Sequence, residues 1–148
     1  MEIGNLCSRE VFVANREEPL AQAVREMHQR KVGMLVVVER QGKRFLPVGI
    51  VTDRDALCRQ LMRQADLFTL VVEDVMTPDP VTVSEHSDLT EAIQSMRARG
   101  VRRAPVLSDT GELVGVVSLD DLLPAVSREL CALAALVGTQ ARHEAATA

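Results

Sequence analysis

The stretch PLAQAVREMHQRKVGMLVVV (Pro19–Val38) returns in altered form as DLTEAIQSMRARGVRRAPVL (Asp88–Leu107), and this repetition decides the fold. Leu20 aligns with Leu89, Ala23 with Ala92, Val24 with Ile93, Met27 with Met96 and Val32 with Val101. Apolar positions at i, i+3, i+4 and i+7 form one face of an amphipathic helix, so the spacing predicts a helix in each copy with Met27 and Met96 in the core. Pro19 suits the first helical position of one. Ser87 or Asp88 suits the cap of the other, with Glu91 close behind.

Each helix runs into an apolar strand, Met34–Glu39 in the first copy and Ala104–Leu107 in the second, as expected for strands buried on both faces. The turns RQGKR and SDTGE follow, then the strands VGIV and VGVV. Short extended segments, VFVA (Val11–Ala14) and VTVS (Val81–Ser84), precede the helices. Each copy therefore reads strand, helix, strand, hairpin, strand, helix. The crossover demands a parallel pair and the hairpin an antiparallel one, so the class is α+β with mixed sheets. A copy of roughly 60 residues makes a marginal core alone, and two should pack about a pseudo-twofold axis. The expected division is residues 1–70, residues 71–125, and a C-terminal helix and tail at 126–148, with MTPDP (Met76–Pro80) as the joint. Val126, Leu130, Leu133 and Val137 stripe the appended helix, for the core or for an oligomer contact, and the ending RHEAATA is expected to fray.

The copies close on GIVTDRDAL (Gly49–Leu57) and GVVSLDDLL (Gly115–Leu123). Each puts a hydroxyl, and a carboxylate three residues later, where a strand turns into a helix. That pattern suits a helix cap, and it equally suits a ligand site, because the carboxylate can accept from both hydroxyls of a ribose.

Composition narrows the function. The net charge of −4 and the presence of only three aromatic residues, Phe12, Phe45 and Phe68, argue against nucleic acid as a main partner. Cys7, Cys58 and Cys131 have neither metal nor disulfide spacing and read as structural thiols. His28, His86 and His143 show no ligand spacing, so no metal is expected. There is no G-x-S-x-G, P-loop or Cys–His constellation, so no catalytic residue is assigned. No uninterrupted apolar run approaches the roughly 18 residues of a membrane span, and the start MEIGNLC lacks a basic, apolar leader; a cytoplasmic location is expected, with no membrane partner.

The duplicated order of elements, VMTPDPVTV opening a copy, VRRAPV in a second strand, and the endings GIVTDRD and GVVSLDD together resemble a tandem pair of cystathionine-beta-synthase (CBS) domains, the Bateman module. The resemblance spans about residues 1–125 and suggests a stand-alone member. It implies no catalysis and no cofactor. What it implies is an adenosine-containing ligand (AMP, ADP, ATP, NAD or S-adenosylmethionine) between the copies, a homodimer, and an effector protein that reads the change of shape. Thr52 and Asp55 would serve one cleft and Ser118 and Asp121 the other as ribose-binding groups. The walls of the Ser118 cleft would come from Phe12, Val13, Gly33, Met34 and Leu35. Those of the Thr52 cleft would come from Thr82, Val83, Arg103, Ala104 and Pro105. Arg102 and Arg103 would hold phosphate in the Ser118 cleft, where Gly33 and Met34 offer the other cleft no charge; on that ground the Ser118 cleft ranks first. Val36 in place of Pro105 is a second departure between the copies. The alternative is a structural dimerisation module with vestigial clefts.

Overall fold

The computed structural model describes residues 1–63 and 66–147. The first half contains β1 (Val13–Asn15), α1 (Leu20–Arg30), β2 (Met34–Gln41), β3 (Arg44–Thr52) and α2 (Asp53–Arg63). After β4 (Thr77–Pro78) the second half repeats the order with β5 (Val83–Ser84), α3 (Leu89–Ala98), β6 (Arg103–Leu107), β7 (Leu113–Ser118) and α4 (Leu119–Thr147). Two mixed sheets result, β1-β2-β3-β4 and β5-β6-β7. In each, the strand before the helix is parallel to the one after it, and the hairpin is antiparallel, as the order of elements predicts.

Local chemistry accounts for the boundaries. Pro19 caps α1 one position earlier than expected, and Asp88 caps α3 through a reciprocal box: its carboxylate accepts from the Glu91 N–H, while the Glu91 carboxylate accepts from the Asp88 N–H. Gly42, at φ 66°, makes the tight turn between β2 and β3 that an L side chain would resist. The opening strands start later than expected. Val36 N–H donates to the Phe12 carbonyl at 3.2 Å, whereas Pro105 has no N–H to offer at the equivalent rung, and β5 is one residue shorter than β1.

Each half has its own core. Leu20, Ala23 and Met27 of α1 pack on Leu35, Val37 and Val51; Ala92 and Met96 of α3 pack on Ala104, Val106 and Val117. The linking segments are exchanged between them. Ile3, fully buried, belongs to the second core, and Val72 and Val75 to the first. The spatial halves thus cross the expected division at residues 70 and 71.

The exchange explains the glycine of each closing motif. Along β3, Gly49 faces the strap at Met76–Thr77, and a Cβ there would lie 2.7 Å from Met76 Sδ and 3.0 Å from the Thr77 carbonyl oxygen. Along β7, Gly115 faces the strap at Cys7–Ser8, where a Cβ would lie 2.7 Å from Cys7 Sγ and 2.8 Å from the Ser8 carbonyl oxygen. β4 pairs with β3 at Gly49, and Ser8 forms the matching antiparallel bridge to Val116. The straps run too close for any side chain.

Three expectations change at the periphery. Cys58 and Cys131 are exposed, and only Cys7 is half-buried. The ending expected to fray continues α4 to Thr147. Leu122 and Ala125 of α4 are buried, but the stripe beyond them is not core: Val126 is 41% exposed, Leu130 65%, Leu133 62% and Val137 68%. By length and composition α4 is also long and apolar enough to cross a membrane, although no uninterrupted apolar run in it reaches that length.

Candidate functional site

The strand-to-helix junctions are capped in both copies. The Thr52 hydroxyl accepts from the Asp55 N–H at 3.0 Å, and Asp55 Oδ2 accepts from the Thr52 N–H at 3.1 Å. At the second junction Asp121 Oδ2 accepts from the Ser118 N–H at 2.8 Å and also from the Ser118 hydroxyl at 2.6 Å. The first N–H of each helix donates to the residue preceding the second strand of its own copy: Asp53 to the Gly33 carbonyl at 3.1 Å, Leu119 to the Arg102 carbonyl at 2.9 Å. The register places Met34 opposite Thr52 and Arg103 opposite Ser118. Capping therefore fixes the hydroxyl, the carboxylate and the start of the neighbouring strand relative to one another at each junction.

Two cavities are lined from both halves. The first, of about 300 Å³, is lined by Ser118, Asp121, Arg103 and Val116 from the second half, and from the first half by Phe12, Lys31, Val32, Gly33, Met34 and Val36, with Ser8, Glu10 and Val11 of the strap. The second, of about 370 Å³, is lined by Thr52, Ile50 and Met34 from the first half and by Val81, Arg99, Val101, Arg102 and Arg103, with Thr77, Asp79 and Pro80 of the other strap. Part of the two linings corresponds through the repeat: Thr77 stands for Ser8, Asp79 for Glu10, Val81 for Phe12, Val101 for Val32. Both fall at the lower end of the 300–1,000 Å³ typical of small-molecule sites.

The first cavity gathers Ser118, Asp121, Arg103, Phe12, Gly33 and Met34 as expected residues, but several other expected ones lie elsewhere. Leu35, Val83 and Ala104 belong to the two cores and Pro105 is fully buried, and none of the four lines either cavity. Val13 is spent on the ladder with Val36. Thr82 lines a different depression with Arg16, Leu46 and Pro47. Val83 pairs with Val106 as Ala14 does with Val37, so the counterparts of Phe12 and Val13 are Val81 and Thr82, one position earlier than the resemblance suggested. Asp55 faces a shallow depression with Cys58, Arg59 and Met62, and not the cavity that Thr52 lines.

The charge distribution also changes. Arg102 lines the Thr52 cavity rather than the Ser118 cavity, and beside Ser118 it borders only a small groove with Leu119 and Asp120. Arg103 reaches both. The Thr52 cavity is thus lined by three guanidiniums and not uncharged, which removes the ground on which the Ser118 cleft ranked first. Arg30 and Arg99 occupy equivalent positions, but the Arg30 guanidinium lies 4.9 Å from the centre of the Phe12 ring, and Val81 offers no ring to hold Arg99. Arg99 lines the cavity and donates to the Asp79 carbonyl at 3.4 Å. Lys31, Glu10, Asp79, Val81 and Arg99 were not anticipated as site residues; carrying the repeat register strictly from Phe12 would have marked Val81, while the other four have no expected site residue as counterpart.

The model of the CBS domain family matches residues 3–61 and 72–128. An uncharacterized protein of Methanopyrus kandleri is 27% identical over 123 residues, 83% of this chain, which spans 61% of that relative's length. An uncharacterized 17.7 kDa protein of Acidianus ambivalens is 32% identical over 125 residues, 84% of this chain and 73% of the relative. Among solved structures, a CBS domain protein of Pyrobaculum aerophilum complexed with AMP superposes with a TM-score of 0.72 at 26% identity, over 82% of this chain and 89% of the other. With both matches falling on the two halves of the fold, the chain belongs to the CBS domain family and carries the domain twice.

Proposed function

We propose that the chain is a non-catalytic sensor that binds an adenosine-containing ligand between its two CBS domains, first of all in the cavity of Ser118 and Asp121. The observation that carries this reading is the convergence of both halves on that cavity: a carboxylate held at a helix start, a guanidinium beside it, and the Phe12 edge with the Gly33–Met34 backbone opposite. Asp121 Oδ2 is used in the cap, which leaves Oδ1 to accept from ribose hydroxyls. The Pyrobaculum relative complexed with AMP supports the ligand class. Because the cavity walls come from different halves, a ligand that touches both favours one packing of them by its differential affinity, and an effector protein reads that packing. The chain acts as a homodimer in the cytoplasm, α4 meeting protein rather than lipid; Arg128 and Glu129 interrupt its apolar surface.

Isothermal titration with AMP, ADP, ATP, NAD and S-adenosylmethionine tests the reading. At least one should bind with micromolar affinity, and if all are weaker than millimolar the sensor function is lost. A second reading, a dimerisation module with unused clefts, is favoured by the exposed stripe of α4. Ending the chain after Ala125 keeps the buried Leu122 and Ala125 and removes the stripe. Under the sensor reading this truncation loses the dimer and keeps ligand binding.

A further inference from the structure

Lys31 and Asp79 are the only residues other than glycine, among those described, in the left-handed backbone region, at φ 56° and 51°, and each lines one of the two clefts. Lys31 ends α1 in a closure that the second copy reproduces with glycine. The Lys31 N–H donates to the His28 carbonyl and the Val32 N–H to that of Met27; correspondingly, Gly100, at φ 64°, donates to Arg97 and Val101 to Met96. Glycine holds this geometry without strain, while an L side chain brings its Cβ against the following carbonyl. The closure itself therefore does not call for lysine. What separates the two positions is the cavity, since Lys31 lines the Ser118 cleft and Gly100 does not line its counterpart.

Lys31 also faces the right company. It comes from the first half and Arg103 from the second, and among the described residues neither is paired with a carboxylate within 4.0 Å. Glu10 and Asp121 share the cavity wall, and Asp121 is already engaged at the start of α4. Two unpaired cations on opposite walls define a place for an anion that binds only when both halves are in position.

We infer that Lys31 is a phosphate-binding residue of the Ser118 cleft, kept in a backbone conformation that glycine would hold more easily, and that with Arg103 it selects a phosphorylated over an unphosphorylated nucleoside. The inference rests on the sensor reading of this cleft and deepens it. The substitutions Lys31→Gly and Lys31→Met separate charge from backbone. Titration of the full-length protein with AMP and with adenosine should show at least a tenfold preference for AMP in the parent chain, reduced about tenfold in both variants, the effect of one charge-assisted hydrogen bond. Thermal unfolding should move up by a few degrees for Lys31→Gly alone. Unchanged AMP preference in both variants, with adenosine still bound, overturns the role of Lys31 and leaves the sensor reading intact. Failure of AMP to bind the parent chain overturns the role of Lys31, and failure of ADP, ATP, NAD and S-adenosylmethionine as well overturns the sensor reading with it. A lower unfolding midpoint for Lys31→Gly refutes the conformational argument.

Discussion

Gly115→Ala places one methyl group against the strap that joins the N-terminus to the second half. The new Cβ would lie 2.7 Å from Cys7 Sγ and 2.8 Å from the Ser8 carbonyl oxygen, against the ~3.5–4.0 Å of an unstrained contact between carbon atoms. Cys7 Sγ can rotate away. The Ser8 carbonyl cannot, because it accepts from the Val116 N–H at 3.0 Å while the Ser8 N–H donates to the Val116 carbonyl at 2.9 Å. The strap must therefore lift by roughly half an ångström, which weakens both bonds and pulls on Ile3, buried in the second core. Overpacking of this kind costs about 1–3 kcal/mol, and each hydrogen bond contributes about 0.5–1.5 kcal/mol. A loss of about 2–4 kcal/mol follows, or roughly 5–12 °C in unfolding midpoint for a chain of this size. The sequence contains no Trp or Tyr, so urea unfolding is best followed by far-ultraviolet circular dichroism. Cys7→Ala added to Gly115→Ala should recover only part of the loss, because the backbone clash remains. Ser8 and Val116 also line the Ser118 cavity, so ligand affinity should fall with stability. A Gly115→Ala variant within 0.5 kcal/mol of the parent would refute the account of why this motif carries glycine.

Asp121→Asn keeps an acceptor for the α4 cap but loses the charge offered to a ribose; titration should show nucleotide affinity reduced at least tenfold with a near-parental unfolding midpoint. Leu130→Glu with Leu133→Glu introduces charge on the exposed stripe of α4; light scattering should report a dimer for the parent chain, as proposed, and a monomer for this variant. Burial pushes the Cys7 thiol pKa up, with the nearby Arg9 pulling the other way, so Cys7 should alkylate more slowly than the exposed Cys58 and Cys131 in a mass-spectrometric time course. With its folded-state pKa raised, Cys7 keeps its proton longer when folded. Its stabilising contribution is full below about pH 8.5 and is lost as pH rises through the folded value; Cys7→Ala should flatten that alkaline decline.

The sequence alone determined the architecture. Leu20, Ala23 and Met27, repeated as Leu89, Ala92 and Met96, can meet a core only as helix stripes, and the alternation of helix and apolar strand, twice, leaves mixed sheets as the solution. The capping of Thr52–Asp55 and Ser118–Asp121 was legible for the same reason: a hydroxyl and a carboxylate three residues apart have one local use at a helix start. Local signals do not say which wall faces which. The sequence spaces Asp55 and Asp121 identically, yet only Asp121 lines a cleft beside its hydroxyl, because orientation depends on the packing of two halves far apart in the chain. Adjacent Arg102 and Arg103 both line the Thr52 cavity, but only Arg103, the first residue of β6, also lines the Ser118 cavity, a division that the packing of the two halves decides. Lys31 carried no motif at all. Only the tertiary structure, by laying the end of α1 against the cleft built on Ser118, turned an ordinary surface lysine into half of an anion site.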